Sequence, residues 1–275
     1  MMPTLVEVMY RVATRSGDAK KLVASATSAD AVTFKDAQRV NSERLFWGGS
    51  EIIFLDTTHF GQWATITDAD ETGLLTFTPA VTGGNIASGS EAYVFDFNSK
   101  GFGVEVYKEA VQNAVADLRG RLLVKKRLEI ANPYDWRDGY FTVPDTMDEI
   151  YAVEYQARDG EWRIVKPALG ERGRGWRATG IDGQVQIGDS EYGGMISGYT
   201  VAALGYAELT PPEDYDDEIP EPIQPIIELA VYSLMRSGID RDNKYPILFR
   251  PAEDQMMKMV RSYLPDRDIY SERLR

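Results

Sequence analysis

The spacing of apolar positions changes several times along the chain, and each change predicts an element. Leu5, Val8, Met9 and Val12 recur at three and four behind Thr4-Leu5-Val6-Glu7. That tetrad has the form of a capping box, in which a hydroxyl and a carboxylate each satisfy an orphan N–H. The pattern predicts a short amphipathic helix from Thr4 to about Thr14, closed by Gly17 and Asp18. From about Val32 to Phe97 the texture is short apolar runs broken by Gly, Asp and Ser, as in "RLFWGGSEIIFL", "WATITDADETGLLTFTPAV" and "IASGSEAYVFDF". Such runs read as β-strands at hairpin spacing.

A longer helical stripe follows, with Val104, Tyr107, Val111, Ala114, Val115, Leu118 and Leu122 at three and four. Lys125-Lys126-Arg127 is then expected at the helix end, where cations favour the negative end of the dipole. Beyond Pro133 the pattern alternates again, at Val153, Tyr155, Trp162, Ile164, Val185, Ile187, Tyr199 and Val201. Asp159-Gly160 supplies a tight-hairpin dipeptide, so an antiparallel sheet is expected. Between two of these strands, "GERGRGWR" places Arg172, Arg174 and Arg177 among glycines, a basic loop tip and a candidate contact for a neighbouring subunit or for DNA. Ile223, Ile226, Ile227, Ala230, Val231 and Leu234 predict a helix ended by Gly238. "PAEDQMMKMVRSYL" predicts another, with Ala252, Met256, Met259, Val260 and Tyr263 on one stripe. The polar tail "PDRDIYSERLR" carries Ile269, Tyr270 and Leu274 as anchors for a partner's groove.

Three stretches invite a chemical reading. "PPEDYDDEIPEP", residues 211–222, holds five carboxylates in the six positions Glu213–Glu218. Flanking prolines make it a stiff connector, and carboxylates ahead of a helix meet the positive end of its dipole, so no metal is called for. "ITDADETGLLTF" resembles a D-x-D calcium loop, but the twelfth position counted from Asp68 is Pro79, where such a loop needs a bidentate Glu. A solvated hairpin turn ending at Gly73 is the expectation. Gly101 and Gly103 stand between a strand and a helix, yet Val106 takes the place of the third glycine in G-x-G-x-x-G, so no dinucleotide cofactor is expected.

Composition narrows the function classes. Hydrophobic residues make up 43% and aromatic residues 11% of 275, and mean hydropathy is −0.33, the profile of a folded chain. No apolar run approaches the roughly 20 residues that span a bilayer, and the N-terminus does not read as a secretion signal, which places the protein in a cytoplasm without a membrane partner. The absence of Cys removes thiolate chemistry, and one histidine, His59, leaves no scope for a Ser-His-Asp or Cys-His arrangement elsewhere; a structural role is expected for it. The net charge of −13, with pI near 4.7, argues against tight non-specific binding to a polyphosphate but suits a wall past which DNA slides without sticking. No internal repeat recurs. No catalytic, metal or cofactor residue is singled out, and an enzyme is not expected.

The order of elements resembles the head-to-tail adaptor (neck or connector) proteins of tailed bacteriophages. The likeness rests on "GYFTVPDTMDEIYAVEY" followed by "SGYTVAALGYAELTPPEDYDDEIPEPIQPIIELAVYSLMRS", with Val143-Pro144-Asp145, Leu209-Thr210-Pro211 and Ile219-Pro220 at the matching places. It covers residues 101–264, with a weaker likeness at 32–97 to the β-barrel inserts of neck proteins, and this chain is longer than the compact members of that family. The resemblance implies an α+β fold: a helical adaptor core with an antiparallel β-sheet, plus a small N-terminal β-barrel-like insertion. The corresponding segments are 1–30 as helix and linker, 31–100 as the β-rich domain, 101–265 as the adaptor core and 266–275 as a projecting tail.

In function the resemblance implies a virion protein, made in the host cytoplasm, that forms a homo-oligomeric ring, a dodecamer, in the neck. Its partners would be the portal protein on one side and the tail or a second neck protein on the other, with double-stranded DNA in passage. A tail-completion, terminator or capsid-binding virion protein is the alternative within the same class. A carboxylate-dependent hydrolase is the alternative outside it, although 43 acidic residues offer no way to choose a catalytic pair.

Overall fold

The capping box opens the first helix, α1 (Leu5–Ser16), as the sequence predicts: Glu7 accepts the backbone N–H of Thr4, and Gly17 ends the helix at φ 77°. The computed structural model describes residues 2–38, 48–95, 101–119, 123–130, 140–143, 147, 149–167, 175–178, 184–188, 200–238, 252–256 and 258. The chain divides into two compact units, one from Met1–Leu118 with Thr210–Arg275 and one from Arg119–Leu209.

The first unit is built on six antiparallel strands: β1 (Ala19–Val23), β2 (Thr33–Lys35), β3 (Glu51–Phe54), β4 (Trp63–Ala69), β5 (Leu74–Thr78) and β6 (Glu91–Phe95). Their spatial order is β1-β6-β3-β4-β5-β2. The two edges come together beyond β1 and β2, where Ser25 N–H donates to the Lys35 carbonyl at 2.7 Å and Ala37 N–H to Ser25 Oγ at 3.0 Å. The sheet is thereby drawn into a curled half-barrel filled by Leu22, Phe34, Ile52, Phe54, Ile66, Phe77 and Val94. Burying each of these side chains stabilises the fold by about 1.5–3 kcal/mol before entropy is counted.

On the outer side of β3 and β6, Ile53, Tyr93 and Phe95 are also buried. Tyr10 of α1 stacks on Tyr93 with centroids 4.0 Å apart, and Tyr107 of α2 (Val104–Leu118) meets Phe95 at 5.4 Å. Burial, helped by Glu7 and Glu91, pushes the Tyr93 hydroxyl up to about 12. The third helix, α3 (Gln224–Gly238), packs on both α1 and α2. Arg15 of α1 pairs with Glu228 of α3, a carboxylate buried to 2% side-chain exposure, which also accepts from Gln224 at 2.6 Å and Gln255 at 3.4 Å. Residues 252–256 are helical.

The second unit is a sandwich of two antiparallel sheets. Its strands are β7 (Leu123–Ile130), β8 (Tyr140–Thr142), β9 (Glu149–Gln156), β10 (Trp162–Val165), β11 (Gly175–Ala178), β12 (Gln184–Gly188) and β13 (Val201–Glu208). Four lie in the order β10-β9-β13-β7 and three in the order β11-β12-β8. Phe141, Trp176 and Val185 from the smaller sheet meet Val153, Val165, Val201 and Ala203 from the larger one in a single core. The Asp159-Gly160 turn joins β9 to β10 with Gly160 at φ 83°.

These sheets correct the expected fold class. The protein is mostly antiparallel β, and residues 101–265 do not form a helical adaptor core: between 119 and 209 every regular element among the described residues is a strand. The N-terminal β region is not a small insertion but the largest sheet, and it draws its edge strand β1 from residues 19–23. The predicted long helix stops at Leu118, and Lys125-Lys126-Arg127 lie in β7 rather than at a helix end. The cause is pairing: all eight residues of β7 are in register with β13, from Leu123 opposite Glu208 to Ile130 opposite Val201. Local spacing carries no trace of a partner some 80 residues away.

Candidate interaction surface

The acidic connector serves the backbone of α1. The carbonyls of Asp217 and Tyr215 accept the N–H groups of Leu5 at 2.9 Å and Val6 at 3.2 Å, donors that a helix start otherwise leaves without partners. Asp217 Oδ2 accepts from the N–H groups of Glu213 at 2.7 Å and Asp214 at 2.9 Å. Donation from Asp214 first and Glu213 second holds this carboxyl below the usual aspartate range. Tyr215 donates to Glu105 Oε1 at 2.7 Å, and burial, then that bond, raises its hydroxyl above the ordinary range. The sequence expectation placed these carboxylates at the start of α3; there, among the described residues, Glu221 alone does so, accepting from Ile223 N–H at 3.3 Å. Glu213, Asp214, Asp216 and Glu218 remain exposed.

The other stretches that invited chemistry are also committed to the fold. Glu51 Oε2 accepts the N–H of Val104 at 2.5 Å and fills the helix N-terminus where a phosphate would bind in a nucleotide loop. Asp18, buried to 1%, accepts from Tyr107 at 2.9 Å. A Cβ on Gly103 would stand 2.7 Å from Glu51 Oε2, and one on Gly101 would stand 2.7 Å from Asp18 Cγ, so both glycines make room for carboxylates. Asp70 Oδ1 accepts from Leu74 N–H, Thr72 Oγ1 and Thr72 N–H, which lowers its carboxyl and makes the β4–β5 turn. His59 is buried, with Nδ1 2.8 Å from Asp56 Oδ1 and Nε2 3.2 Å from the Gly84 carbonyl, and so ties two loops together. No group of three His, Cys, Asp or Glu side chains among the described residues could hold a metal ion.

Of the residues read as partner contacts, Arg177 sits in β11, half-buried, donating to Gln186 Oε1 of β12 at 2.7 and 2.9 Å. It belongs to a paired strand and not to a loop tip. Met256 is half-buried in the helical stretch 252–256. Arg172, Arg174, Met259, Tyr263, Ile269, Tyr270 and Leu274 lie outside the described residues.

The surface that the sequence reading missed is the outer face of the four-stranded sheet. Val153 and Val165 are register partners pointing into the core, so Glu154 and Ile164, the next pair along, point out. Ile164 is 66% exposed in mid-strand and Tyr151, beside Tyr206 at 5.1 Å, is 42% exposed. The Arg127 guanidinium lies 4.0 Å from the Trp162 ring centroid and pairs with Glu129 and with Glu154 at 3.4 Å. Alternation had marked Trp162 and Ile164 as strand residues, but it cannot tell which face of a sheet is left uncovered.

Charge is unequally shared. Residues 119–209 hold 12 Lys and Arg against 14 Asp and Glu, whereas the rest of the chain holds 18 against 29. Within the nearly neutral unit, residues 119–127 carry Arg119, Arg121, Lys125, Lys126 and Arg127 with no acidic residue. No protein-family model matches the sequence, nor does any curated protein.

Proposed function

We propose that this protein is a structural subunit that multiplies around an axis to form a ring between the head and the tail of a tailed bacteriophage. The observation that carries the reading is the passage from β13 through the acidic connector to α3. Leu209-Thr210-Pro211 stands where the strand ends, and Ile219-Pro220 stands just ahead of the helix. That is the order on which the likeness to neck proteins rests; the helical core expected with it forms no part of the proposal. The exposed apolar positions on the outer sheet face add to it, since such positions favour association.

The work asked of such a subunit needs no reactive group. Each copy uses two different surfaces, and ring closure turns a modest interface into a stable assembly. The surplus of 13 negative charges keeps the wall from adhering to passing DNA. Light scattering and negative-stain electron microscopy of the purified chain, alone and with a portal ring, test the reading together with mass spectrometry of purified virions. Closed rings and presence in the particle are expected. A persistent monomer that neither joins a portal nor occurs in virions overturns it.

A further inference from the structure

We infer that residues 119–209 are a self-closed module inserted into the first unit, that this module opens and closes on its own, and that while folded it clasps the two halves of the first unit together. The inference does not depend on the ring reading.

Each unit has a core of its own. Among the described residues, the half-barrel core is drawn from the span Leu22 to Val94. The helices α1, α2 and α3 pack on one another, and α1 packs on β1 and β6. The sandwich core is drawn from the span Phe141 to Ala203, with Leu128 and Ile130 packed against it. Every ladder of β7–β13 likewise runs within 119–209. A stretch of that length with its own closed core is large enough to fold alone.

The two ends of the module meet. Antiparallel pairing sets Leu123 of β7 opposite Glu208 of β13, which puts their Cα atoms about 5 Å apart. Just outside that pair, Arg119 Nε donates to Glu208 Oε2 at 2.8 Å. In the first unit, the chain leaves at Leu118, the end of α2, and returns beside the same helix, where Gln112 Nε2 donates to the Pro212 carbonyl at 2.8 Å. With the module unfolded, residues 1–118 and 210–275 have to be brought together across the whole flexible length of 119–209. With it folded, they are brought together across one strand pair. Closing a flexible loop grows less favourable by a factor of roughly three for every doubling of its length. A folded module has already met that cost. The coupling is reciprocal, because a folded first unit holds the ends of 119–209 together and so favours the module by the same factor.

Native-state hydrogen exchange of the full chain, read by mass spectrometry at rising urea, tests both parts of the inference. The amides of β7–β13 are expected to share one opening, and those of β1–β6 with the helices another. Val153→Ala should raise the first by at least about tenfold and leave the second within about twofold. Phe54→Ala should do the reverse. Ile66→Val, a smaller cut in the same core, gives that readout where Phe54→Ala leaves too little folded first unit. At the urea concentration that opens its module, Phe141→Ala/Val153→Ala should keep the first unit protected but exchanging roughly tenfold or more faster than in the wild type at the same urea, because the long loop must then be closed. One opening common to the whole chain, moved alike by Val153→Ala and by Phe54→Ala, overturns the module. A first unit whose exchange is unchanged while the module is open overturns the clasp.

Discussion

Glu51 accepts the backbone N–H of Val104 at 2.5 Å, and Gly103 makes the space in which that carboxylate sits. A strand residue thus caps a helix that begins 53 positions later, joining the curled sheet to α2. Gly103→Ala would place a Cβ 2.7 Å from Glu51 Oε2 and displace the cap. A loss of about 1–2 kcal/mol is expected, the usual size of an N-cap. Urea unfolding of Gly103→Ala in wild-type and Glu51→Ala backgrounds checks the link: the alanine should cost clearly less once the carboxylate is gone, and equal costs would sever it.

Asp217 leads to a dependence on pH. Its folded carboxyl titrates below the usual aspartate range because Asp214 and Glu213 N–H groups donate to the ionised form. A depressed folded value means stability that is present above about pH 4 and is lost as pH falls through the lower folded value. Asp217→Asn keeps one acceptor and removes the titration. The urea midpoint of wild type is expected to fall between pH 5 and pH 3 by more than that of the variant; parallel curves would contradict the assignment.

Buried charge makes the third case. Glu228 is held by Arg15, and Arg15→Ala leaves the carboxylate inside the fold without its cation. Removing one partner of a buried pair typically costs about 3–5 kcal/mol; because Arg15 is 42% exposed, a loss near the lower end, about 3 kcal/mol, is expected. Arg15→Ala/Glu228→Gln should regain much of it. A double-mutant cycle with no coupling would show the two side chains to act independently.

Phe54 and Ile164 separate core from surface. Phe54 is fully buried between Phe34, at 6.3 Å, and Phe77, at 5.2 Å, so Phe54→Ala should cost about 3–5 kcal/mol. Ile164→Ala should change the stability of the isolated chain by less than about 0.5 kcal/mol. Thermal unfolding of dilute protein measures both, and a large loss at Ile164 would place that residue in the core.

What the sequence disclosed follows the range of the forces involved. The Thr4–Glu7 box, the Gly73 turn and the Asp159-Gly160 hairpin are settled by neighbours within a few residues, and each is found where it was expected. The end of α2 was misplaced because Lys125 and Arg127 fit a helix terminus as well as a strand, and only the ladder to Tyr206 and Leu204 decides between them. The acidic connector was read as a solvated spacer with its charge turned toward α3; its contribution to α1 comes from the carbonyls of Tyr215 and Asp217, which every residue type possesses and no composition reveals. The sheet face around Ile164 stayed hidden for a related reason. Val165 and Ile164 are alike in chemistry, and their fates diverge only once Phe141, Trp176 and Val185 cover one side.

The first two donors of α1 find their acceptors only in residues 215 and 217. On a translating ribosome that helix emerges before the strands from β7 to β13, and all of these precede Tyr215. Until then the amides of Leu5 and Val6 are left to water, and the first turn of α1 stays without these two acceptors. The start of α1 is therefore completed by a segment more than 200 residues further along the chain.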